Sequence, residues 1–263
     1  MGRAGEEMRE KSVGGAASRL WVEEEGWTTG RKLDKEKHKK AGGGERASRG
    51  VQLTSRDIDA LGWITEQYAV RTDVIRWLLG NGDPLSDSRT RAVVARWQRA
   101  GLVESRRFLA GAAHVVWPTR EGTRLTRPGW RSRPPSIALL AHHHAVSMVR
   151  LAIERRGHGT DWVCERTLYK QRANQEAHVA DGVFHSSRAV ETAVEVELTV
   201  KGADRLRDIV RDLTLDYPAV LYVVADQKVG TAVQAAVDSL GERDKVSIVG
   251  LDRLALERSG SRA

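Results

Sequence analysis

A single cysteine, Cys164, stands in the 263 residues, so no disulfide can close within the chain and a cystine-stapled secreted scaffold is excluded. A reducing compartment is expected, and a cytoplasmic location fits it. No stretch approaches the roughly eighteen uncharged apolar residues that a membrane-crossing helix needs. The first thirty residues carry Glu6, Glu7, Glu10 and the run Glu23 to Glu25 without an apolar core, so neither a signal peptide nor a membrane partner is expected. No glycine-rich loop of phosphate-binding spacing occurs, which argues against an ATPase. No tyrosine stands in a recognisable relaxase context, which argues against a nicking nucleophile.

What the chain does have is positive charge, unevenly placed. Lys and Arg number 43 against 35 Asp and Glu, for a net charge of +8. Residues 51–135 hold 14 basic and 8 acidic residues, residues 1–50 hold 12 and 9, and residues 136–263 hold 17 and 18. The surplus therefore sits mainly in the middle segment, as expected of a segment that meets a polyanion. All its basic residues are arginine, whose planar fork suits phosphates and guanine edges. Residues 1–50, with "RKLDKEKHKK" and little apolar periodicity, are expected to be a disordered charged tail.

From Val51 apolar residues recur at helical spacing. Ile58, Leu61, Ile64 and Tyr68 follow a Thr54/Ser55 cap and predict a first helix. Val74, Ile75, Leu78 and Leu79 predict a second, stopped at Gly80, and Val93, Val94 and Trp97 a third, stopped at Gly101. Two short strands follow, Leu102 to Phe108 and His114 to Trp117, around a turn at Ala110 and Gly111. "TREGTRL" adds a helical turn. Three helices and a β-hairpin, with the junction "QRAGLVESRR", resemble the winged helix-turn-helix, here over 51–130. That resemblance implies a third helix in the major groove of double-stranded DNA, presenting Arg89, Arg91, Arg96 and Arg99, with Arg106 and Arg107 of the hairpin on flanking phosphates. The alternative is a helical dimerisation domain with solvated arginines.

"RPGWRSRPPS" holds three of the six prolines and marks a boundary near 127–136. "IALLAHHHAVSMVRLAIERRG" beyond it predicts a long helix. Its His142, His143 and His144 are adjacent, so their side chains diverge by about 100° each and do not form one metal site. "DWVCERTLY", "HVADGVFH" and "AVETAVEVELTV" predict strands; in the last, Val194, Val196 and Leu198 alternate with Ala193, Glu195 and Glu197, so both carboxylates share a face. "KGADRLRDIVRDLTLDY" and "VGTAVQAAVDSLGE" predict helices that alternate with the strands "AVLYVVA" and "KVSIVGLDRL". The expected class is thus α+β followed by α/β with a mixed sheet.

The helix, the Asp in "ADGVF" and the acidic strand "AVEVELTVKG" resemble the PD-(D/E)xK nuclease-like fold, a restriction-endonuclease-like domain over 136–256. Together with the winged helix, "HVADGV…AVEVELTVKGADRLRDIVRDL…YPAVLYVV" resembles the replication-relaxation family of actinobacterial plasmids and mobile elements, over roughly Leu53 to Val249. The resemblance implies a DNA-binding accessory of plasmid replication or relaxation, with a homodimer, relaxosome or replication proteins as partners. Phosphodiester cleavage would need a divalent cation such as Mg²⁺ on oxygen ligands, which Asp181 and Glu195 would supply, with Glu197 beside them. The nuclease pattern puts a lysine two residues after the strand acid, and Glu197 stands there instead. Lys201, four residues further, is the candidate substitute. A degenerate nuclease fold used for assembly follows more directly from this departure than an Mg²⁺-dependent endonuclease does; a transcriptional regulator is the remaining alternative.

Overall fold

The structure, a computed structural model, describes residues 52–172 and 177–254. The charged tail expected over 1–50 lies outside the described residues. The architecture is mixed α and β, with a three-stranded antiparallel sheet and a five-stranded mixed sheet.

Helix α1 (Ser55–Glu66) starts at a reciprocal cap, in which Asp57 N–H donates to the Thr54 hydroxyl and the Asp57 carboxylate accepts from Thr54 N–H. It ends before Tyr68, whose φ of +61° turns the chain. A short strand β1 (Val70–Arg71) follows, then α2 (Thr72–Leu79) and α3 (Asp87–Arg99). Strands β2 (Val103–Arg106) and β3 (Val115–Pro118) form the hairpin, and β1 joins it in the order β1-β3-β2. The sequence pattern predicts no strand here, since the segment of the first helix runs to Val70 and that of the second opens at Arg71; the two residues are a strand only because Val116 and Val115 of β3 pair with Val70 and Arg71. Leu61, Ile64, Ile75, Leu79, Trp97 and Val116 fill the core beneath. Helix α4 (Arg120–Thr126) closes against α1, and Gly122 is required there because a Cβ would meet Leu102 O at 2.0 Å.

A 3₁₀ turn over Ile137–Leu139 leads into α5 (Leu140–Arg156), which Gly157 terminates in the left-handed region. Strand β4 (Gly159–Cys164) comes next, but the single strand expected over 161–169 is corrected: it stops at Cys164 and α6 (Glu165–Gln171) begins. Cys164 is the last residue paired to β5, and Leu168 then drops into the core from a helical turn. β5 (Gly182–Ser186), β6 (Glu191–Glu197), α7 (Ala203–Asp216), β7 (Ala219–Val224), α8 (Gln227–Leu240) and β8 (Val246–Gly250) complete the unit. The strand expected through Leu254 ends at Gly250, because residues 251–254 wind into a 3₁₀ turn that buries Leu254.

The sheet order is β4-β5-β6-β7-β8, antiparallel through β6 and parallel from β6 to β8. One face, with Val183, Ala193, Val220 and Tyr222, packs on α7 and α8. The other, with Phe184, Val194, Val196 and Leu221, packs on Val146, Val149 and Ile153 of α5. Helix α5 also puts Leu151 into the first core. Beside it Arg150 pairs with Glu66 at 2.8 Å and lies 4.6 Å over the Trp63 ring, whose N–H donates to Glu154 at 2.9 Å. One helix thus packs against both sheets' layers and joins them. No helix among the described residues is long and apolar enough to cross a membrane.

Candidate functional site

Two constellations carry chemistry, one basic and one acidic. On α3, Thr90, Val93, Val94 and Trp97 face the core, which leaves Arg89, Arg91 and Arg99 exposed on the opposite side. Arg106 and Arg107 at the end of β2 are exposed as well, with Arg106 lying 5.6 Å over the Phe108 ring. Among the described residues none of these five has an ion-pair partner. Arg96 is different. Its guanidinium is held by the fully buried Asp57 carboxylate, which also accepts the Trp97 indole N–H at 2.9 Å. Burial alone would raise the Asp57 carboxyl pKa, but the Thr54, Trp97 and Arg96 donors outweigh it and hold it low.

The acidic constellation gathers at the start of β5 and the end of β6. Asp181 is nearly buried: one carboxylate oxygen accepts Val196 N–H at 2.7 Å, and the other meets His142 Nε2 of α5 at 2.8 Å. Glu195 and Glu197, both 3 % exposed, face α7 and α8 beside Tyr222, which is opposite Glu195 in the parallel register. His178 Nε2 meets Glu195 at 2.9 Å, and its backbone N–H is anchored to Asp212 of α7 at 3.0 Å. The chain leaves the sheet after Glu197 and turns back, so the Lys201 ammonium lies 2.5 Å from Glu197 and 3.7 Å from Glu195. The structure therefore brings Glu195, Glu197 and Lys201 together, with Asp181 close enough to Glu195 to be felt electrostatically.

Titration follows from this crowding. Burial, then the charge of Asp181, pushes the Glu195 carboxyl up, while His178 and Lys201 pull it back part of the way. Glu165, at the first turn of α6, is pushed up to about 7 by burial and by Asp181. Burial disfavours charged imidazoles at His142 and His178, but the hydrogen bonds and charges of Asp181 and Glu195 outweigh it, and both are raised. The Tyr222 hydroxyl is buried with no hydrogen-bond partner among the described residues, and burial beside Glu195 and Glu197 drives its pKa far up.

His142 and His143 go to separate partners, Asp181 and Tyr68. His143 stacks on Tyr68 at 5.1 Å with an interplanar angle of 11°, and burial lowers it to about 4. Sequence reading missed His142, His178 and Glu165 as members of the acidic constellation. Only "HVAD", which sets a histidine three residues before Asp181, carries a signal for one of them.

A divalent cation needs several converging oxygens at one point. Among the described residues no three His, Cys, Asp or Glu side chains converge in that way. Both Asp181 oxygens and both Glu195 oxygens face a nitrogen: Val196 N–H, His142, His178 and Lys201. As arranged, these residues do not fit Mg²⁺. Compared with protein-family models and with curated proteins, the chain matches none.

Proposed function

We propose that this protein is a DNA-binding accessory of plasmid or mobile-element replication or relaxation. A winged helix seats it on duplex DNA, and a C-terminal unit of PD-(D/E)xK-like architecture serves assembly rather than cleavage. The observation that carries the reading is the group of exposed, unpaired arginines Arg89, Arg91, Arg99, Arg106 and Arg107 on α3 and β2. Three helices before an antiparallel hairpin support the winged-helix assignment, with α3 as the groove-facing helix. The order of antiparallel and parallel strands, with Asp181 before β5 and Glu195 on β6, supports the nuclease-like one. The link to an origin rests on the sequence resemblance. Duplex affinity should fall steeply with salt, by about 0.9 log units per log unit of salt for each phosphate neutralised. An affinity that stays flat between low and high salt sinks the proposal, and footprinting on an origin against the protein's own promoter separates it from a transcriptional regulator.

Lys201 favours a second reading, an Mg²⁺-dependent endonuclease. Its ammonium occupies the neighbourhood of Glu195 that the nuclease pattern reserves for a lysine, although it arrives from four residues beyond Glu197. In that reading Asp181 and Glu195 would hold the cation only in a rearranged site, free of their bonds to His142 and His178. Nicking of supercoiled DNA with Mg²⁺ or Mn²⁺, abolished in Asp181→Ala, would establish it; inert wild-type protein would remove it.

A further inference from the structure

Residues 80–86 join α2 to α3 and include Gly80, Gly82 and Pro84, with residues 81–83 exposed, so the loop has little side-chain burial to hold its shape. It is nevertheless tightly folded: a Cβ on Gly80 would meet Asp83 O at 1.9 Å. Its last residue, Ser86, caps α3 by accepting the Arg89 N–H at 3.4 Å, so the loop sets where the arginine-bearing helix begins. Three arginines hold carbonyls in and beside this turn. Arg56 of α1 donates to Leu79 O at 3.2 Å, and Arg76 of α2 donates to Leu85 O at 2.7 Å. Arg155 comes from the last turn of α5, beyond the proline-rich linker. It donates to Trp77 O at 3.2 Å and to Gly82 O, and its guanidinium lies 4.9 Å over the Trp77 ring. Those two carbonyls flank Gly80, so one planar fork ties the end of α2 to the middle of the loop, which a lysine ammonium matches poorly. The second unit places Arg155. Val149, Ala152 and Ile153 of α5 lie in the core against β6 and β7, while Leu151, one turn before Arg155, packs in the first core.

We propose that Arg155 is a positioning residue for duplex recognition: through it the C-terminal unit fixes the α2–α3 turn, and with it the angle at which α3 presents Arg89 and Arg91. The inference rests on the duplex-binding reading and deepens it, because the unit behind the linker then shapes the DNA-reading surface without touching DNA. Arg56 and Arg76 fasten the two ends of the loop from within the first unit, whereas Gly82 at its middle is held from the second. Contacts to base edges tolerate little displacement, so a turn released at Gly82 costs base readout first. Phosphate attraction, which is long-ranged and insensitive to orientation, survives.

The test is fluorescence anisotropy of the full chain on two labelled duplexes, a pool of random sequence and the sequence that wild-type protein selects from it. Arg155→Met should weaken binding to the selected duplex about tenfold and to the pool less than about twofold, with the salt slope unchanged because no phosphate contact is lost. Arg155→Lys, which keeps the charge and loses the fork, should lose as much as Arg155→Met. Arg156→Met removes the same charge one residue on, from a guanidinium that donates to Arg253 O at 3.1 Å, and should leave both affinities within about twofold. Hydrogen exchange of residues 80–90 should quicken in Arg155→Met while that of α7 does not, and circular dichroism checks that each variant is folded. Arg155→Met that binds the selected duplex as wild type does overturns this inference alone, as does full affinity in Arg155→Lys, which would make charge rather than the fork the cause. A smaller salt slope would mean that Arg155 touches a phosphate, and equal losses on the two duplexes would mean that it does not tune readout; either overturns the positioning role. Wild-type protein that binds both duplexes equally also overturns it and leaves duplex binding standing, whereas wild-type protein that binds neither overturns the duplex reading as well.

Discussion

Arg89, Arg91 and Arg99 stand in solvent with no ion-pair partner among the described residues, while Glu195 and Glu197 are 3 % exposed and each meets the Lys201 ammonium. The first arrangement costs the fold almost nothing and leaves charge free for a partner. The second is expensive, because a buried carboxylate loses several kcal/mol of hydration that its ion pair only partly returns. Apolar side chains of similar volume would hold β6 at least as well. Asp181, Glu195, Glu197, His142 and His178 in and around one corner of the sheet are therefore not the cheapest way to hold it together. The basic half points outward to solvent, and the acidic half is closed on itself.

The largest effect expected from this contrast is on stability. Lys201→Met leaves Glu197 buried without its cation and should cost about 3 kcal/mol in urea denaturation. Arg91→Ala, on the exposed helix face, should cost less than about 0.5 kcal/mol. A double variant Lys201→Met/Glu197→Leu should regain most of the loss. Equal small effects for Lys201 and Arg91 would mean that the acidic corner is solvated and the contrast false.

DNA affinity reverses the ranking. Arg89→Ala and Arg91→Ala should each weaken duplex binding by about 1 to 3 kcal/mol, about fivefold to a hundredfold for a base contact, without moving the denaturation midpoint. A loss that is uniform across sequences marks a phosphate contact, and one confined to a single base position marks readout.

The helices α1 to α3 and the strands β6 and β7 were legible because each has enough apolar residues to display its period. Strand β1 was not, since two residues have no period and exist as a strand through pairing alone. Helix α6 was misread because its seven residues bury only Leu168, which leaves its pattern indistinguishable from the strand before it. At the site, alternation along β6 placed Glu195 and Glu197 on one face, and the structure agrees, although both faces of β6 are buried. The return of Lys201 depends on the turn after Glu197, and His142 reaches Asp181 across the fold, so tertiary structure alone reveals them, whereas His178 had the faint signal of standing three residues before Asp181.

Acidity offers a smaller handle on the closed half. Glu165 has its folded pKa raised from an ordinary 4.5 to about 7, so the folded state binds the extra proton between those values. Its contribution to stability is full below pH 4.5 and is lost as pH rises through 7. The raised His142 and His178 act in the same direction above pH 6.5, while His143, lowered to about 4, opposes Glu165 below 6.5. Comparison of wild type with Glu165→Gln isolates the carboxylate. The variant should lose less stability over that window, by on the order of 1 kcal/mol once solvent screening is allowed for. Parallel pH profiles would place Glu165 in solvent rather than in the acidic corner.

Arg96 is the exception that sharpens the contrast from the other side. It lies on α3 among the candidate DNA contacts, yet its guanidinium closes on Asp57, so within the basic half it behaves as the acidic half does. Asp57 keeps its bonds from Thr54 and Trp97 when Arg96 is removed, and the arginine is itself a third exposed, at 33 %. Arg96→Ala should therefore cost only about 1 kcal/mol of stability. Duplex affinity, measured well below the unfolding transition, should change less than about twofold, because a guanidinium already engaged adds little to the field at the DNA. A loss as large as that of Arg89→Ala would show that Arg96 leaves Asp57 on binding, and that the first unit trades an internal ion pair for a phosphate.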